Sequence, residues 1–329
     1  MKKIINNPND VVSEMLKGLA KANPNVRYLG EGVEVIARKE KTPGKVGVIT
    51  GGGSGHEPAH AGYVGKGMLD AAVCGHIFSS PSPDRIIEGL KAADDGAGVL
   101  MIIKNYSGDI MNFQMAGELA EMDGIKTDFV VVKDDVAVPD STYSTGRRGI
   151  AGTVFVHKVA GAAAEMGKSL PEVKAAAEKT IANIRTMGMA MTPCILPAVG
   201  KPGFELAEDE WEIGMGIHGE PGIHREKITP AKELAATLLQ KIFDDCDYDG
   251  SEVAVMVNGL GGTPLMEQYI LYNEVEEILK ARNIRIYKAF VGNYMTSLEM
   301  AGVSITLFKL DDELKQYLDY PTDVAAFPV

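Results

Sequence analysis

The sequence predicts an α/β protein: a mostly parallel sheet flanked by helices over residues 1–187, then a smaller α+β domain over 188–329. Three observations carry this. Apolar runs such as Lys45-Val46-Gly47-Val48-Ile49-Thr50 and Gly98-Val99-Leu100-Met101-Ile102-Ile103 read as buried strands. Helical segments alternate with them, and that rhythm implies parallel strands with helices on both faces. Near 185–190 the chain turns Met-, Pro- and Gly-rich and the rhythm changes; a length of 329 residues suits two domains.

The elements follow in order. Asp10 can cap a helix with Val11, Val12, Met15, Leu16 and Leu19 on its apolar face, ending before Pro24. Val33 to Ala37 is a short strand. The 45–50 strand runs into Gly51-Gly52-Gly53-Ser54-Gly55-His56-Glu57-Pro58, read as a glycine loop after which Pro58 can open a helix. Met68 to Val73 is a strand, and Ser82-Pro83-Asp84 starts a helix. The 98–103 strand ends in Lys104-Asn105-Tyr106-Ser107-Gly108-Asp109, with a helix behind it. Phe129 to Val132 is a strand, Pro139 to Gly149 a polar loop, and two alanine-rich helices occupy about 151–166 and 171–187. In the second half, Glu212 to Ile217 alternates and ends in His218-Gly219-Glu220-Pro221-Gly222. Helices to about 243, over about 264–282 and over about 311–319 accompany strands at 252–257, 284–291 and 304–310.

Composition excludes several classes. The formal net charge of −12 argues against nucleic acid and anionic membranes as partners. No stretch approaches the roughly 18 apolar residues of a membrane span, and the N-terminal Met1 to Pro8 lacks a signal peptide's apolar core. Cys74, Cys194 and Cys246 are far apart and lack CxxC spacing, which suits reduced thiols in a cytoplasmic protein.

The glycine-rich stretch fits no nucleotide fingerprint. Walker A needs Gly-Lys-Ser/Thr where this chain has Gly55-His56-Glu57, and the dinucleotide pattern needs a glycine where His56 stands. The HRD and DFG kinase signatures are missing as well. His56-Glu57-Pro58-Ala59-His60 matches HExxH literally, but that zinc motif needs both histidines on one face of a continuous helix, and proline inside it works against one. No metal site is expected. What remains is a set of glycine-flanked polar clusters at three strand ends, two of them holding His-Glu-Pro or His-Gly-Glu-Pro. Each cluster alone has a bland reading, as a tight turn, as solvated loop charge or as a structural histidine; together they point to one site.

Gly51 to Pro58, Lys104 to Asp109, Gly146-Arg147-Arg148-Gly149 and Gly216-Ile217-His218-Gly219-Glu220-Pro221-Gly222 resemble the dihydroxyacetone kinases, specifically the substrate-binding subunit of the phosphotransferase-system-dependent enzymes. The resemblance runs through Pro264-Leu265 to Ser304-Ile305-Thr306-Leu307, essentially the whole chain. It implies that His218 attacks the ketone carbon of dihydroxyacetone to form a hemiaminal, that His56 hydrogen-bonds the substrate, and that Asp109 is the base for the hydroxyl receiving phosphate. Gly53, Ser54, Gly55 and His56, through their backbone, and Lys104 would complete the pocket. A neutral imidazole is a competent nucleophile at neutral pH, and covalent capture separates a ketone from glycerol. The fused relatives carry a nucleotide domain that this chain lacks before Val329. The resemblance therefore implies a separate subunit holding ADP and Mg²⁺, recharged by a phosphoprotein, and also a homodimer. A dihydroxyacetone-sensing paralogue acting on a transcriptional regulator is the alternative; Asp109 and Lys104 favour the enzyme, because a sensor needs no base. The Arg147-Arg148 pair is left open between a structural role and one facing the partner's phosphates.

Overall fold

The computed structural model describes residues 2–139, 144 and 146–327. Part of the expected polar loop, at 140–143 and 145, lies outside the described residues. The chain forms α1 (Val11–Ala22), β1 (Val26–Tyr28), β2 (Val35–Arg38), β3 (Gly47–Ser54), β4 (Ala71–Ile77), α2 (Pro83–Ala93), β5 (Val99–Lys104), α3 (Ser107–Met122), β6 (Thr127–Val132), α4 (Thr153–Glu165) and α5 (Leu170–Asn183). There follow β7 (Ile184–Ala190), β8 (Glu210–Ile213), β9 (His224–Lys227), α6 (Ala231–Asp245), β10 (Glu252–Gly259), α7 (Leu265–Ala281), β11 (Arg285–Gly292), β12 (Gly302–Lys309) and α8 (Asp312–Asp319).

Two six-stranded sheets result, ordered β1-β2-β4-β3-β5-β6 and β11-β10-β12-β7-β8-β9. In the first, β4, β3, β5 and β6 are parallel and β1 and β2 form an antiparallel edge. The second is antiparallel except for the β10–β11 pair. Burial explains the stacking. Ile49, Val73, Met101 and Ile103 face α2 and α3 through Ile86, Leu90, Phe113 and Ala116. The opposite face, with Val48, Leu100 and Ile102, packs on α4, whose other side meets Met256 and Phe308 of the second sheet. Alanine and valine along α4 let it lie between two sheets, and Thr153 through Ala164 are all buried. A third cluster joins Val255, Ile305 and Leu307 to α6 and α7.

Several expectations change. The glycines at 51–53 are strand residues inside β3, paired with Val73, Cys74 and Gly75 of β4. No α-helix begins at Pro58; the chain makes turns and a short 3-10 segment at Ala61–Tyr63. The strand expected to end at Val73 runs to Ile77. Residues 184–190, placed partly in a helix, form β7. Asp10 precedes α1, but its carboxylate accepts from the Asn7 side chain at 2.9 Å and makes no capping bond to the helix.

Chain order reverses at β3: β4 lies on one side of it and β5 on the other. Ligands of open α/β sheets bind outside the strand C-termini at such a switch point. The sheets are stitched at the same end, where Thr186 of β7 donates its N–H to the Asp134 carbonyl at 2.8 Å just beyond β6. No helix among the described residues is long and apolar enough to cross a membrane.

Candidate active site

The switch point gathers the sequence-predicted residues. His56 follows β3 and is completely buried. Its loop is held from the second half of the chain: Leu298 N–H donates to the Gly55 carbonyl at 2.7 Å, and Thr296 N–H to the His56 carbonyl at 3.1 Å. The His56 ring places Nδ1 2.8 Å from the Thr296 carbonyl oxygen. A carbonyl only accepts, so Nδ1 carries the proton. Burial, with the nearby Lys104 charge, holds this imidazole well below its ordinary pKa. Neutral His56 therefore exposes a lone pair at Nε2, a buried atom with no hydrogen-bond partner among the described residues.

Lys104 ends β5 and Asp109 lies in the first turn of α3; both are buried. A Cβ placed on Gly52 would stand 3.4 Å from Lys104 Nζ and 3.5 Å from Asp109 Oδ2, which puts both charges over the same point of β3. Lys104 Nζ has no hydrogen-bond partner among the described residues, and burial lowers its pKa against the pull of Asp109 and Glu220. Burial likewise raises Asp109, opposed by Lys104 and by the hydroxyl of Ser80, which donates to Oδ1.

His218 arrives from the other sheet, in the connection between β8 and β9. Its ring stands edge-on to His56 with centroids 4.8 Å apart, and also contacts Tyr106 at 4.7 Å and Phe78 at 5.2 Å. Nδ1 lies 2.7 Å from Glu220 Oε1, and the His218 backbone N–H donates to Oε2 at 2.9 Å. Burial would raise the Glu220 carboxyl, but His218 and Arg148 hold it at about 2. The turn is tight because Gly216 N–H donates to the Glu220 carbonyl at 2.9 Å.

Two assignments are sharpened. The Ser54 hydroxyl donates to the Gly75 carbonyl at 2.8 Å, so its side chain is committed to β4. Gly53 pairs with Gly75, and Gly55 N–H donates to Glu57 Oε1 at 3.0 Å. Arg148 is structural: fully buried, it pairs with Asp135 at 2.7 Å and donates to the Gly214 carbonyl at 2.7 Å, bracing the His218 turn. Arg147 is spent on Asp245. His60 turns from His56 to meet His157, Nδ1 to Nε2 at 2.9 Å, and no cluster of three or more His, Cys, Asp or Glu able to hold a metal occurs among the described residues.

A family model described as the Dak1 domain matches residues 17–326. The chain belongs to the dihydroxyacetone kinase family. This Dak1 chain is 58% identical over 329 residues to "PTS-dependent dihydroxyacetone kinase 1, dihydroxyacetone-binding subunit DhaK" of Listeria innocua, covering 99% of this chain and 100% of that one. It is 42% identical over 351 residues to the PEP-dependent counterpart of Escherichia coli, with 99% of each chain covered. The solved dihydroxyacetone kinase of C. freundii in complex with AMP-PNP and Mg²⁺ superposes with a TM-score of 0.92 at 34% identity, over 99% of this chain and 61% of that chain. The dihydroxyacetone kinase operon co-activator Dha-DhaQ gives 0.89 at 38% identity, over 95% and 97%.

Sequence reasoning about this Dak1 chain missed Glu220, Tyr106, Phe78, Ser80 and Asp135. Glu220 had a signal, a carboxylate two residues after the histidine within a glycine-flanked turn. The two rings and Ser80 had none, because their contacts with His218 and Asp109 join segments distant in the chain.

Proposed function

We propose that the chain is the dihydroxyacetone-binding subunit of a phosphotransferase-dependent dihydroxyacetone kinase. It captures the ketone on His218 and presents a hydroxyl for phosphorylation by a separate subunit bearing ADP and Mg²⁺, giving dihydroxyacetone phosphate. The observation that carries this reading is the pair of facing imidazoles, each held through Nδ1 by an acceptor, beside a buried Lys104–Asp109 pair.

The roles follow from those atoms. His218 Nε2 bonds to the carbonyl carbon as the C=O π pair moves onto oxygen. That oxygen takes one proton from solvent, and the ring, keeping its Nδ1–H, becomes an imidazolium facing Glu220. His56 Nε2 accepts from a substrate hydroxyl. Lys104 Nζ donates to a substrate oxygen, and the backbone of Gly53 to Gly55 forms a wall. Asp109 takes the proton of the terminal hydroxyl as its oxygen attacks the donor's phosphorus. Such transfer depends mostly on positioning and electrostatics. In this reading the division into 1–187 and 188–329 separates base from nucleophile, the chain is cytoplasmic and homodimeric, and a phosphoprotein recharges the partner.

Carbonyl-¹³C dihydroxyacetone tests the capture. Its resonance is expected to move from the ketone to the tetrahedral region on binding; an unshifted ketone signal in a saturated complex refutes it. A second reading, a dihydroxyacetone sensor acting on a transcriptional regulator, is favoured by the operon co-activator's likeness over 95% of this chain. Reconstitution with the nucleotide subunit separates the two, because a sensor yields no dihydroxyacetone phosphate.

A further inference from the structure

We infer that Glu220 is the positioning residue that makes His218 a nucleophile, by holding its imidazole in the tautomer that leaves Nε2 unprotonated. The inference rests on the capture proposed above and adds what that capture requires of a neighbour.

Both carboxylate oxygens of Glu220 serve His218: Oε1 meets Nδ1 at 2.7 Å and Oε2 accepts the backbone N–H at 2.9 Å. Glu220 is 2% exposed, so water does not compete for either oxygen. Arg148, buried beside the same turn, spends its donors on Asp135 and on the Gly214 and Pro221 carbonyls. A backbone N–H never accepts. The atom that keeps the His218 N–H bonded at the Oε2 position must therefore be an acceptor.

This makes Glu220→Gln a directed change of tautomer. The glutamine oxygen has to take the Oε2 position, which turns the amide NH₂ toward Nδ1. Nδ1 must then accept, the ring proton moves to Nε2, and the neutral ring loses the lone pair that would attack the carbonyl. No atom is gained or lost in the ring; one proton changes nitrogen. A wrong tautomer of this kind costs an Asn-substituted catalytic triad on the order of 10⁴ in rate. Glu220→Asp keeps two acceptors on a shorter stem and should keep the tautomer.

The test uses the full chain with ¹⁵N-labelled histidine, in wild type, Glu220→Gln and Glu220→Asp. His218→Ala identifies the His218 resonances among the 6 histidines. Wild type and Glu220→Asp should show a pyrrole-type Nδ1 and a pyridine-type Nε2, and Glu220→Gln the reverse. In parallel, carbonyl-¹³C dihydroxyacetone at a concentration saturating the wild type should stay a ketone with Glu220→Gln. A wild-type His218 whose Nε2 carries the proton overturns the inference whatever the variants do. So does Glu220→Gln that captures normally. If wild-type His218 has the expected tautomer and captures nothing, the proposed function fails and the assignment of Glu220 as the tautomer-setting group stands.

Discussion

Asp109 sits where burial works against its charge. Removing a carboxylate from water favours the neutral acid, and here that effect outweighs Lys104 and Ser80, so the pKa is raised. The proposed base must be ionised, so transfer should rise with pH through a limb above the ordinary carboxylate value of about 3.9. Asp109→Asn is expected to keep the tetrahedral ¹³C signal, lose roughly 10²–10⁴ in transfer rate, and lack that acid limb. Full transfer by the variant would remove Asp109 from the base role. The same residue shows how far the sequence reads. His56, Lys104, Asp109 and His218 were legible because each ends an apolar run or sits among glycines. The state of each group was not, since it depends on Thr296, Ser80 and Arg148, which only folding brings near, and on the ring contact that the turn gives Glu220.

At the level of elements, patterning located most strands and helices and failed in places with a physical cause. Glycine has low strand propensity, yet Gly51 to Gly53 extend β3 because their N–H and C=O groups pair with β4. Strand β7 follows an alanine-rich helix and is methionine-rich itself, so local preference reads it as helix; pairing with β12 and β8 overrides that preference. The 216–222 turn gives the sharpest test at this scale. Gly216→Ala would set a methyl carbon 2.0 Å from Glu220 Oε2, which must move. The variant should fold with an unchanged circular dichroism spectrum and bind dihydroxyacetone far more weakly in a titration. Wild-type affinity would show that the turn tolerates the shift.

Across the whole molecule the two sheets share a core through α4, and their polar seam is closed by Arg148, which links Asp135 beyond β6 to the Gly214 carbonyl beyond β8. Removing one partner of a buried ion pair typically costs about 3–5 kcal/mol, because the other charge is stranded. Arg148→Met should lower the urea midpoint accordingly, and adding Asp135→Asn should recover part of the loss. Equal stability of the single variant and the wild type would mean that the pair contributes nothing. The seam also has a consequence for how such chains diversify. The proposed hook, His218 with Glu220, hangs from the second sheet, while the proposed base, Asp109 with Lys104, belongs to the first. On the proposed reading, substitutions confined to the β5–α3 junction would silence phosphorylation and leave the hook untouched. A catalyst and a receptor for one metabolite are then neighbours in sequence space, separated by a few side chains on one sheet.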